Sequence, residues 1–166
     1  TTGVGTGIPG TGEPPAGGTT TNNGGNGLNI DIDGTPADTI ISIGNSWKYL
    51  ANNTRPAGWE TTDYNDVAWP TGNAQLGYGD GDETTCVPSG GGGTLCTPTG
   101  NKYITTYFRK TVSITNPASY ANFTLGLIRD DGAVVYVNGV EVVRSNMPAG
   151  AIAHGTLASS NVGGAA

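Results

Sequence analysis

Charge is scarce in this chain, and basic charge is scarcest. Seven lysines and arginines stand against thirteen aspartates and glutamates, giving a formal net charge of −6 and a pI near 4.4. So few cations cannot neutralise a phosphate backbone, which excludes a basic nucleic-acid binder. A charged share of 12% beside 29 glycines excludes a long charged helix or a coiled coil. No apolar run nears the roughly 18 residues of a membrane span, so no membrane insertion is expected. Two cysteines and a single distant histidine cannot complete a zinc site, and the C-x-x-C spacing of a redox pair is absent. The chain starts Thr1-Thr2-Gly3, without initiator Met or signal peptide, and so reads as a mature or excised piece.

What is present is clustered. Residues 1 to 27 hold ten glycines, three prolines and one charge, Glu13, with no aromatic residue. Such a stretch builds no core and reads as a linker or arm. From residue 28 onward a folded domain is expected, because the hydrophobic 35% of the chain concentrates there. Leu28, Ile30 and Ile32 alternate with polar residues through Asp33, the period of a strand with one dry face. Asp38 to Ile43 could form a second strand, and Thr61 to Trp69 one helical turn.

Stronger strand signals follow. Phe108, Val112 and Ile114 fall on one face of Tyr103–Thr115, and Phe123, Leu125 and Leu127 on one face of Ala121–Arg129. Asn138-Gly139 between Ala133–Val137 and Val140–Arg144 predicts a hairpin, since both central turn residues need positive φ. That turn would pair Val137 with Val140 and Val135 with Val142. Many short strands with no helical period predict an all-β, antiparallel sandwich. Cys86 and Cys96 flank a Pro/Gly/Ser/Thr loop and are expected to form one local disulfide, placing the chain in an oxidising compartment, secreted or at the cell surface.

The order of several motifs is distinctive. Trp47-Lys48-Tyr49-Leu50, Pro56-Ala57-Gly58-Trp59, Asp66-Val67-Ala68-Trp69 and Leu76-Gly77-Tyr78-Gly79-Asp80-Gly81-Asp82 come first. Ile104–Lys110, Arg129–Arg144 and Asn146–Gly150 follow. Over residues 40 to 162 the chain resembles a galactose-binding-like jelly-roll module, an accessory domain of large secreted bacterial proteins. The resemblance implies a non-catalytic jelly roll that binds carbohydrate or another cell-surface polymer. Two departures stand out. The family continues past the Asn-Met-Pro segment into strands that close the sandwich, whereas here only a short Gly- and Ala-rich stretch follows. The segment Leu28–Asp33, with similar alternation, stands at the other end.

Candidate sites are few. His154 lies between Ala153 and Gly155 with no triad pattern near it, and Asp130-Asp131 leads into Gly132 as a turn. No catalytic residue is therefore assigned. Asp80, Asp82 and Glu83 pack three carboxylates into one glycine-bearing loop. Hard oxygen ligands of this kind suit a structural Ca²⁺, as the resemblance also implies; the alternative is a solvated acidic loop. Asn29-x-Asp31-x-Asp33-Gly34 imitates an EF-hand opening, but Ile40 stands at position twelve and a strand is the better reading. Trp59, Tyr64, Trp69 and Tyr120 lie in or near loops and could stack on sugar rings, or pack against the sandwich edge.

Two functions follow. One is a non-catalytic extracellular module that binds a glycan or a surface. The other is a structural subunit of an extracellular filament, in which Leu28, Ile30 and Ile32 are donated to another copy of the chain.

Overall fold

The computed structural model of the chain describes residues 29–31 and 39–162. The arm of residues 1 to 27 lies outside them, as do Leu28 and Ile32.

Among the described residues eleven short strands follow one another: β1 (Asn29–Asp31), β2 (Ser46–Leu50), β3 (Thr71–Asn73), β4 (Leu76–Gly77), β5 (Thr85–Cys86) and β6 (Gly92–Gly93). Then come β7 (Pro98–Thr99), β8 (Tyr107–Arg109), β9 (Thr124–Gly126), β10 (Ala133–Val137) and β11 (Val140–Ser145). The one helical element among the described residues is a 3₁₀ turn at Pro117–Ser119, so the all-β class holds. The strands form five small sheets, the largest a three-stranded ladder in the order β3-β2-β8. All pairings are antiparallel except the two-residue β4–β5 ladder.

The β10–β11 hairpin forms where the Asn-Gly signal predicts it. Asn138 and Gly139 have φ of 51° and 83°, the positive values a two-residue turn between right-twisted strands demands. Val137 pairs with Val140 and Tyr136 with Glu141. One expectation needs correcting: Val135 pairs with Val143, not Val142, because the register shifts between Val135 and Tyr136. Val142 is the extra residue of that irregularity, half exposed at 51%.

Other strands are shorter than the alternation suggests. Asp38–Ile43 contributes a single bridge at Ile41, and Tyr103–Thr115 only β8. Thr61 to Trp69 holds hydrogen-bonded turns rather than a helical one. In β8 only one of the two aromatic residues is in the core: Tyr107 is buried, whereas Phe108, which shares a face with Val112 and Ile114, is exposed. Alternation sorts side chains into two sets but does not say which set faces in. Here Tyr107 has the inner partners, a ring contact with Trp59 and a hydrogen bond to His154.

Cys86 and Cys96 form the expected disulfide, with Cα atoms 5.0 Å apart. Beside it Val87, 1% exposed, is the most deeply buried hydrophobic side chain among the described residues. The core is thin. Ile41, Ala51, Trp69, Ala74, Val87 and Tyr107 are buried, while thirteen large hydrophobic residues among those described are exposed. They include Val137, Val140 and Val142 on the hairpin and Phe123 and Ile128 on either side of β9.

Candidate functional site

The densest polar network sits on the β3-β2-β8 sheet. Lys48 of β2 and Arg109 of β8 are cross-strand partners. Two like charges directly opposite repel, and Asp66, on the loop before β3, lies between them. Lys48 Nζ contacts Asp66 Oδ1 at 2.9 Å and donates to its backbone oxygen at 2.7 Å. Arg109 Nε donates to Asp66 Oδ2 at 2.9 Å. The Lys48 ammonium, and then Arg109, hold the Asp66 carboxyl below its ordinary 3.8. Arg109 Nη1 also donates to the backbone oxygens of Trp59 and Thr61, and its guanidinium lies 5.1 Å from the centre of the Tyr64 ring. The network thus clamps the 59–69 loop onto the sheet.

That clamp decides where the candidate sugar-stacking aromatics go. Trp69 is only 7% exposed and meets Tyr64 edge-on at 5.7 Å. It is a core residue and offers no open face, which corrects its place among the candidates. Trp59 is half-buried between Tyr107, at 4.7 Å, and Tyr136, at 5.7 Å. Tyr120 is half-buried 5.9 Å from Phe123, far along the chain from the other three. The structure therefore gathers Trp59, Tyr64 and Trp69 around Arg109 and spends much of their ring surface on internal contacts.

Next to the clamp lies an open groove of about 270 Å³ that the sequence does not reveal. Lys48, Arg109 and Lys110 line it with Asp66, alongside Trp47. The hydroxyl side chains of Ser46, Thr71 and Thr111 complete its rim. Lys110 Nζ donates to Asn45 Oδ1 at 2.6 Å and to the Ser46 backbone oxygen at 2.8 Å, and stands 5.9 Å from the Trp47 ring centre. No carboxylate of the described residues pairs with it. The signal for this groove was the Lys48/Arg109/Lys110 grouping, visible only once β2 and β8 are known to pair.

The acidic loop is assembled as its sequence suggests. Ligand oxygens of Asp80, Asp82 and Glu83 lie within 4.8 Å of one another. Glu83 Oε1 and Oε2 accept the backbone N–H groups of Asp80, at 3.0 Å, and Gly81, at 3.1 Å. Burial raises the Glu83 carboxyl, but backbone N–H donors outweigh it and hold it below its ordinary value. Nearby, burial first, then the charges of Asp131 and Asp80, push Asp130 up.

His154 bridges two parts of the fold. Its Nδ1 shares a hydrogen bond with the Tyr107 hydroxyl at 2.8 Å and its Nε2 with Asn53 Oδ1 at 3.1 Å. The ring thus ties its own loop to β8 through Nδ1 and to the loop after β2 through Nε2.

The last feature is a sheet edge. Among the described residues β1 pairs only with β9, in the register Asn29↔Gly126, Ile30↔Leu125 and Asp31↔Thr124, and β9 has no other strand partner. Ile30, one of the three candidate donated residues, therefore lies in a ladder. No family model, curated protein or solved structure matches the chain.

Proposed function

We propose that this chain is a structural subunit of an extracellular filament, a jelly-roll-like module completed by strands from neighbouring copies. The observation that carries the reading is the β1–β9 pair. It is a self-contained two-stranded ladder, reached through a short segment from the rest of the domain. The same three residue pairs can form between two copies as well as within one, which is the condition for domain swapping. Residues 32 to 38 could span up to about 25 Å when extended. A donation that runs from each copy to the next does not close on itself and gives a fibre.

Two further facts support the reading. Among the described residues the second edge of β9 has no strand partner and is flanked by exposed Phe123 and Ile128, and the hairpin exposes Val137, Val140 and Val142. Exposed apolar side chains beside an open strand edge suit association with another chain. The loop aromatics, by contrast, are engaged internally, which weakens a glycan module built on them. In the filament, the Cys86–Cys96 disulfide and a Ca²⁺ held by Asp80, Asp82 and Glu83 would stiffen the loops.

Cysteine pairing tests the proposal. Ile30→Cys and Leu125→Cys are placed in one chain, and the native material is oxidised. A ladder of multimers on a non-reducing gel is expected. Disulfide-linked monomers alone, with no filaments by electron microscopy, would refute it.

A further inference from the structure

The loop that leaves β2 carries Asn52-Asn53-Thr54, an Asn-x-Thr triplet. Such a triplet accepts N-linked sugar when it lies on the surface of a chain that passes through an oxidising compartment. All three residues are exposed, immediately after the buried Ala51. The loop is held in place from either side. Asn53, at φ 60°, shares a hydrogen bond with His154 Nε2 through its Oδ1 at 3.1 Å, and Arg55 Nη1 donates to the Ile152 backbone oxygen at 3.0 Å.

Within the loop the side chains of the triplet are arranged for the reaction. Asn52 Oδ1 accepts the Thr54 backbone N–H at 3.2 Å and the Thr54 hydroxyl at 2.7 Å. This is the local turn that Asn side chains close two residues on, and it needs no distant part of the fold. Two donors on the amide oxygen stabilise the negative charge that moves onto it when the amide nitrogen loses a proton. Among the described residues no hydrogen bond engages Asn52 Nδ2. The chain holds a second exposed triplet, Asn122-Phe123-Thr124. There Thr124 opens β9 and pairs with Asp31, so its backbone is held in a ladder rather than in a turn.

We propose that Asn52 is an N-glycosylation site and that Asn122 is not. The donor is an oligosaccharide carried on a lipid pyrophosphate. Asn52 Nδ2 bonds to the anomeric carbon, the bond from that carbon to the pyrophosphate oxygen breaks, and the lipid pyrophosphate leaves with the electron pair. Nδ2 gives up one proton to a base of the transferase. The proposal shares the extracellular location of the filament reading and goes beyond it. No residue of the Asn52 triplet belongs to β1 or β9. Filaments with a bare Asn52 would refute this proposal alone, and glycosylated monomers would refute strand donation alone.

Glycopeptide mass spectrometry on the full chain, purified from its native source, tests it. A sugar mass on the peptide that bears Asn52, and none on the peptide that bears Asn122, is expected. Expressed in the same host, Asn52→Gln and Thr54→Ala should each lose the sugar. Thr54→Ser should retain it, because serine keeps the hydroxyl, and Asn122→Gln should change nothing. Should a variant misfold, the peptides of the native chain decide by themselves. A bare Asn52 in the native chain, an Asn122 occupied as fully as Asn52, or a sugar retained by Thr54→Ala would each overturn the proposal.

Discussion

Lys48 and Arg109 stand opposite each other on paired strands and are reconciled by the one carboxylate of Asp66, which accepts from both. The sheet and the loop that carries Trp59, Tyr64 and Trp69 are therefore coupled through a single side chain. Removing it leaves two facing cations as well as a freed loop.

Asp66→Asn is expected to destabilise the fold by on the order of 1–3 kcal/mol at neutral pH, the range for hydrogen bonds to charged groups. The pH dependence has a definite sign. The Asp66 carboxyl titrates lower in the fold than its ordinary 3.8. Its contribution is thus complete above that value and lost as pH falls through the folded value. Melting curves of the parent and the variant should lie apart at pH 7 and draw together below about pH 4. A constant gap would reject the assignment.

Gly139→Val should cost about 1–2 kcal/mol, because a β-branched residue resists the φ of 83° that the hairpin turn imposes. Chemical denaturation measures this. A neutral substitution would mean that the turn relaxes to another type.

Reduction and alkylation of Cys86 and Cys96 should add the mass of two alkyl groups only after a reductant is supplied. Breaking this crosslink, which spans ten residues, should lower stability by roughly 2–3 kcal/mol. Two thiols reactive in the native protein would contradict the pairing.

Calcium should raise the melting temperature through the acidic loop. At a hundred times its dissociation constant it would add about 2.7 kcal/mol. Asp80→Asn combined with Asp82→Asn should abolish the response, and magnesium should not reproduce it. No shift in the parent protein would assign Asp80, Asp82 and Glu83 to a solvated loop.

Legibility in the sequence followed the range of the interaction. The Asn138-Gly139 turn and the Cys86–Cys96 loop are local and were readable residue by residue. The acidic loop was readable for the same reason. The Asp66 clamp was not, because its two cations lie 18 and 43 residues away and meet it only after β2 and β8 pair. The dry side of β8 was not readable because period-two alternation is symmetric. It took Trp59 and His154, from distant loops, to decide for Tyr107 over Phe108. Val142 escaped because a one-residue irregularity leaves no mark in a run of valines. The aromatics were located correctly as loop residues, but Trp69 is buried edge-on against Tyr64, whose ring Arg109 covers from β8.

The imbalance between four buried and thirteen exposed large apolar residues among those described also bears on how sharply the protein unfolds. Denaturant slope and unfolding heat capacity both grow with the surface that unfolding newly exposes. An isolated chain that already shows so much of its apolar surface has little left to expose. Its transition should be broad and its slope shallow for 166 residues. Copies that cover one another's valines and phenylalanines would gain a steep, cooperative transition, so the width of the melt reads out how far the subunits have joined.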